Sequence, residues 1–249
     1  MSSPSPKETA NGIRVAPILI GCLVGFLLGE ILASLLILIV AQLSHFPGGF
    51  SKISTARIPP WWSVALGLAG LWVGFLSAIY FATVHENLEP LPDQWRPRLS
   101  DLWFVVLGVG SQFVIDGLYY PFHFKKMNAP VTHLFGAAHG AAFVLLAMMS
   151  TFLAPIFEEW FFRGVLYRTL NEAFRDFRPA VRTIGAVGVS ACLFALAHAE
   201  ALQFVGLALF GVVLALVLRR TQRLVPSVIT HVSFNAVAMV SVISTRLGH

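Results

Sequence analysis

Seven stretches of the chain run apolar on every face, and most of the charge is confined to the segments between them. They extend from Pro17 to Leu43, Trp61 to Thr83, Leu102 to Phe122, Leu134 to Leu170, Ile184 to Ala199, Leu202 to Leu218 and Pro226 to Thr245. Most are close to the ~20 residues a helix needs to cross the hydrocarbon core of a bilayer. Strands do not fit, because a barrel would show ~10-residue segments alternating between apolar and polar positions. The pattern predicts an all-α, polytopic transmembrane helix bundle of about seven spans.

Composition agrees: 57% of the 249 residues are hydrophobic and 12% charged, against ~25% charged in a soluble domain, and the mean hydropathy is +0.77. A net charge of +5 could suggest a nucleic-acid partner. Lys and Arg lie in short loops rather than in one stripe, however, so no nucleic acid is expected and membrane lipids are the expected surroundings. On one side fall Lys7, Arg14, Arg96, Arg98, Arg168, Arg175, Arg178, Arg182, Arg219, Arg220 and Arg223; on the other, Lys52, Arg57, Lys125, Lys126 and Arg246. The positive-inside rule therefore puts the N-terminus in the cytoplasm and the C-terminus outside.

The first apolar run is too long for a signal-peptide core and reads as a retained span. Cys22 and Cys192 lie inside apolar runs, which indicates packing residues rather than a disulfide or thiol metal site. The chain divides into a polar tail (1–16), N-terminal transmembrane helices (17–133) and motif-bearing helices (134–249), forming one continuous membrane domain. Residues 84–100 read as a solvated connector. Small residues at four-residue spacing (Gly21, Gly25 and Gly29; Gly70 and Gly74; Gly136 and Gly140) predict close helix approach. Pro155 should kink the fourth helix and free a backbone carbonyl one turn earlier. Trp61, Trp62, Trp95 and Trp103 fit interfacial anchors.

An ionisable side chain at bilayer depth costs at least ~2.5 kcal/mol on insertion scales, so each one is a functional candidate. Glu158 and Glu159 are adjacent in an apolar helix, their side chains about 100° apart, and so cannot play the same role. Glu159 and Arg163, at i and i+4, are placed to pair. Glu158, without a local partner, is the candidate general base. In a second reading both acids merely neutralise arginines, although one acid would suffice for that. His198 closes its helix, with Phe194 one turn back on the same face, and His231 and Asn235 share a face of the last helix. Together these residues can activate a water and stabilise an oxyanion. Glu158, His198 and His231 are also a possible zinc ligand set, although the His-Glu-x-x-His signature is absent. Glu30 and Asp116 are weaker candidates, and His123, His133 and His139 read as interfacial.

Glu158-Glu159-x-x-x-Arg163, Phe194-x-x-x-His198 and His231-x-x-x-Asn235, in this order on successive helices, resemble the three motifs of the CPBP family, which includes CAAX-processing Ras-converting endopeptidases and bacterial Abi-type immunity proteins. The resemblance implies that Glu158 activates water with His198 assisting, that His231 and Asn235 stabilise the oxyanion or help bind metal, and that Glu159 and Arg163 support them. It leaves open both a zinc-dependent and a metal-free glutamate mechanism. The expected protein is an integral membrane endopeptidase of a bacterial plasma membrane, acting on a membrane-associated or lipidated peptide. The alternative is a non-catalytic membrane immunity or scaffold protein; a transporter is disfavoured by the lack of an inverted repeat.

One expectation conflicts with the others. His198 lies about 14 residues into its run and His231 about five beyond Pro226, in helices that start on the same side, an offset of roughly 13 Å at 1.5 Å per residue. Either the fifth helix begins deeper, or it tilts, or a loop re-enters the membrane.

Overall fold

The structure is a computed structural model that describes residues 14–122 and 129–247. Lys7 with the tail up to residue 13, and the loop residues His123, Lys125 and Lys126, lie outside the described residues. The elements are α1 (Val15–Leu43), α2 (Gly49–Ser54), α3 (Trp61–His85), α4 (Leu99–Tyr119), α5 (Ala129–Gly136), α6 (Gly140–Ala173), α7 (Pro179–Ala197), α8 (Phe204–Thr221) and α9 (Leu224–Leu247). Seven of these, all but α2 and α5, are long and apolar enough to cross a membrane, and no strand occurs among the described residues. The protein is an integral membrane protein with multiple spans. Large apolar side chains such as Leu23, Ile31, Val106 and Val114 point outward. In α1 only 17% of the most apolar window is covered by protein, so lipid must cover the rest.

The expected close approach of α1 and α3 is present. A Cβ on Gly74 would lie 2.3 Å from the carbonyl oxygen of Gly25, so only glycine allows the two backbones to meet there. Likewise a Cβ on Gly108 of α4 would lie 2.2 Å from the carbonyl oxygen of Thr230 in α9. Gly136 and Gly140 are different. Gly136 ends α5, and Gly140 opens α6 with φ +53°, so the fourth apolar run is two helices and these glycines share no helical face. The break is clamped from α9: Arg246 donates to the carbonyls of Phe135 and, at 2.8 Å, of Ala138.

Helix α6 is the centre of the bundle, touching α1, α3, α7, α8 and α9. It passes Pro155 without ending, through a wide turn at Met149–Leu153 in which the Ala154 N–H donates to the carbonyl of Met149, five residues back. One residue on in that register, the carbonyl left without a donor by Pro155 is that of Ser150, and it accepts instead from Asn235 Nδ2 at 3.0 Å.

Two expectations are corrected. The connector after α3 is not simply solvated: Leu88 is buried, and the Gln94 carbonyl accepts the N–H groups of Leu224 (3.0 Å) and Val225 (3.2 Å). It thus satisfies donors that the first turn of α9 leaves open. Arg223, counted above as a loop cation, is buried and paired with buried Asp101 through Nη2 (2.6 Å) and Nη1 (2.9 Å). The second correction concerns His198. Helix α7 starts at Pro179 rather than Ile184, with proline at the first helical position where its missing N–H costs nothing, so the fifth helix does not begin deeper. The first turn of the last helix is enclosed by protein, with Leu224, Pro226 and Ser227 buried and the Gln94 carbonyl on its N–H groups. His231 nonetheless lies beside the far end of α7, its ring 5.6 Å from that of Phe194.

Candidate functional site

The two adjacent glutamates of α6 separate as their angular offset requires. Glu159 points into the bundle and is fully buried. Its carboxylate accepts from Ser227 Oγ (2.5 Å) and from His231 Nδ1 (2.9 Å), and pairs with Arg163 Nη1 (3.1 Å). Arg163 is equally buried, donates from Nη2 to the Gly211 carbonyl (3.3 Å) and sets its guanidinium 4.3 Å from the centre of the Phe194 ring. A buried charge persists only when paired and hydrogen-bonded, and here α6, α7, α8 and α9 each supply part of that compensation.

Glu158 faces the other way. Its side chain is 13% exposed, and Oε2 lies 3.7 Å from His231 Nε2. His231 therefore stands between the two carboxylates, with Nδ1 on Glu159 and Nε2 toward Glu158. Phe210 borders its ring at 5.3 Å, so the imidazole is held by packing as well as by hydrogen bonding.

His198 caps the end of α7, where Ala199 turns the chain with φ +53°. Its Nδ1 lies 2.8 Å from the Phe194 carbonyl. A carbonyl can only accept, so Nδ1 carries the hydrogen and the neutral ring keeps its lone pair on Nε2. Asn235 follows His231 by one turn and donates to Ser150, as described above.

Glu158, His198, His231 and Asn235 all line one cavity of about 410 Å³. Leu71, Phe75, Phe162, Phe210 and Phe234 give it apolar walls, and Gln112, Asp116 and Tyr119 of α4 contribute polar edges. Glu159, Arg163 and Phe194 are not on its wall. They sit behind it and hold His231 and His198. Asp116 thus joins the cavity, its Oδ1 accepting from Gln112 Nε2 at 2.9 Å, whereas Glu30 lies on the exposed face of α1 and is not part of the wall.

Sequence reasoning missed three contributors. Ser227 is one turn before His231 on the same helical face, so its spacing could have revealed it. Gly211 acts through its backbone carbonyl, and Asp101 reaches Arg223 across a loop; neither leaves a local signal. Among the described residues no group of three His, Cys, Asp or Glu side chains is arranged to hold a metal ion.

No curated protein and no solved structure matches the chain. The segment carrying all three motifs, residues 140–237, matches the family described as Type II CAAX prenyl endopeptidase Rce1-like.

Proposed function

We propose that the protein is an intramembrane endopeptidase that hydrolyses a peptide bond of a membrane-associated or lipidated substrate with water activated by Glu158 and His198. The observation that carries this reading is the placement of Glu158, His198, His231 and Asn235 on one largely apolar cavity, with the structural carboxylate Glu159 turned away from it. Glu158 is a carboxylate whose contact among the described residues is the long one to His231 (3.7 Å), and it borders the cavity. Its role is to take a proton as the water oxygen bonds to the scissile carbonyl carbon, and then to return that proton to the leaving amine as the C–N bond breaks.

His198, with its proton fixed on Nδ1, offers Nε2 as an acceptor for the same water. His231 is oriented by Glu159, with its Nε2 edge turned toward Glu158 and the cavity, where the negative charge develops. A metal, if the protein uses one, would be sought at Glu158, His198 and His231 and would polarise the carbonyl or the water. The proposed setting is a bacterial plasma membrane, with the N-terminus cytoplasmic and the C-terminus outside.

The rival reading, a non-catalytic immunity or scaffold protein, draws on the buried Glu159–Arg163–His231 cluster, which would lock the helices whether or not chemistry occurs. Glu158→Gln separates the two. With expression matched, cleavage of reporter peptides and any cleavage-dependent phenotype should disappear, whereas a scaffold would keep working. Retained cleavage in Glu158→Gln refutes the assignment of the base.

A further inference from the structure

The cavity lies at one end of three of the helices that line it. Asp116 is one turn from the end of α4, His198 follows the last residue of α7, and Gly206 and Phe210 belong to the first two turns of α8. Ala197, also on the wall, is roughly 27 Å from the other end of α7 at Pro179, at 1.5 Å per residue. The short helix α5, which joins α4 to α6, adds Leu134 and Phe135 on the same side. Helices α6 and α9 run past the cavity in both directions and supply the rest of its wall.

Toward the opposite end the bundle is filled. Glu159 and Arg163, and beyond them Leu166, Leu170, Leu218 and Leu224, are all buried. Toward the near end the wall is open: Asp116 is exposed, and His198 and Gln203 are partly exposed. The two ends also differ in charge. Exposed Arg96, Arg98, Arg175, Arg178, Arg219 and Arg220 gather at the filled end, whereas the described cations at the open end are Lys52, Arg57 and Arg246. Helices α2 and α5 are too short to cross a bilayer, so the seven spans alternate in direction and the arginine-rich end is the cytoplasmic one by the positive-inside rule. We propose that the cavity is served from the outer side of the membrane. Its substrate is then an exported, membrane-attached polypeptide whose cleaved bond lies among apolar residues at the outer leaflet, not a lipidated protein of the cytoplasm.

The nature of the substrate rests on the peptidase reading; the side from which the cavity is reached does not, and it is tested first without turnover. In a Cys192→Ala background, which keeps buried Cys22, single cysteines are placed on the cavity wall (Asp116→Cys) and in the exposed link between α6 and α7 (Asp176→Cys). Intact bacterial cells expressing the full chain are treated with a membrane-impermeant sulfonated maleimide, and the background protein without an added cysteine gives the blank. Asp116→Cys should be labelled in intact cells, and Asp176→Cys only after the membrane is permeabilised. An Asp116→Cys protein that stays unlabelled in intact cells, or an Asp176→Cys protein that is labelled in them, overturns the inference.

The second measurement reads the substrate's side. A charged, membrane-impermeant fluorogenic peptide with an apolar central segment is added to right-side-out and to inverted membrane vesicles carrying the wild-type chain. Right-side-out vesicles should cleave it at once, and inverted vesicles only after detergent opens them. Cleavage by sealed inverted vesicles and not by right-side-out ones overturns the inference and leaves the peptidase reading standing. Labelling from outside together with no cleavage in either preparation, detergent included, overturns the peptidase reading and the substrate class with it, while the outward opening of the cavity stands.

Discussion

Replacing Glu158 and Glu159 by glutamine, one at a time, separates chemistry from architecture at two consecutive positions. Glu159 is fully buried and accepts from Ser227 and His231 while pairing with Arg163, itself fully buried. Glutamine is nearly isosteric, so Glu159→Gln changes little in packing but leaves a buried guanidinium without its counter-charge. Breaking such a pair from one side costs about 3–5 kcal/mol, or roughly a hundredfold or more in the folding equilibrium. Glu158 has one long contact, 3.7 Å to His231, on a side chain 13% exposed, so Glu158→Gln should cost less than about 1 kcal/mol. Unfolding by SDS in mixed micelles, followed by circular dichroism, measures both costs, and cleavage of reporter peptides measures the chemistry. Glu158→Gln should be stable and inactive, while Glu159→Gln should be strongly destabilised. A Glu159→Gln protein within about 1 kcal/mol of wild type would refute the claim that the buried pair depends on its charge, and a Glu158→Gln protein destabilised as much as Glu159→Gln would refute the division of roles.

Three further outcomes are expected. Gly74→Ala should cost about 1–3 kcal/mol, because its Cβ would meet the Gly25 carbonyl and α1 must move off α3; Gly67→Ala, with nothing within 4 Å, is the neutral control in the same SDS titration. Asp101→Asn should destabilise by about 3 kcal/mol by stranding Arg223, and adding Arg223→Met should recover part of that loss, as a double-mutant cycle would show. Ser227→Ala should cost about 1.5 kcal/mol through loss of a hydrogen bond to a carboxylate, with cleavage reduced only as far as His231 loses its orientation; a Ser227→Ala protein indistinguishable in stability would mean that the short contact contributes nothing net.

The spans and the polar motifs were legible in the sequence for one physical reason: both are local. All-round apolarity over a bilayer's length marks a span, and four-residue spacing puts Glu159 with Arg163 and His231 with Asn235 on common faces whatever lies around them. What was hidden depends on contacts distant in sequence. The connector after α3 looks solvated because prolines and charges dominate it, yet Gln94 caps α9 and Asp101 holds Arg223. Counting residues from apparent helix ends separated His231 from the end of α7, whereas the packing of α9 on α6 and α7 sets its ring 5.6 Å from that of Phe194.

The reading of Pro155 shows the same limit at a finer scale. Proline removes one N–H, and the sequence alone locates the orphaned carbonyl four residues back, at Thr151. The wide turn shifts it to Ser150, where Asn235 donates. That single-residue shift changes the chemistry attributed to the third motif: one amide hydrogen of Asn235 is structural, holding α9 to α6, and only the other remains for a substrate. A residue that the family resemblance marks as an oxyanion donor thus also anchors the wide turn ahead of Pro155. Asn235→Ala should therefore affect both stability and rate. A loss of rate in Asn235→Ala with no loss of stability would mean that the Ser150 carbonyl is satisfied some other way, and the structural half of this account would fall.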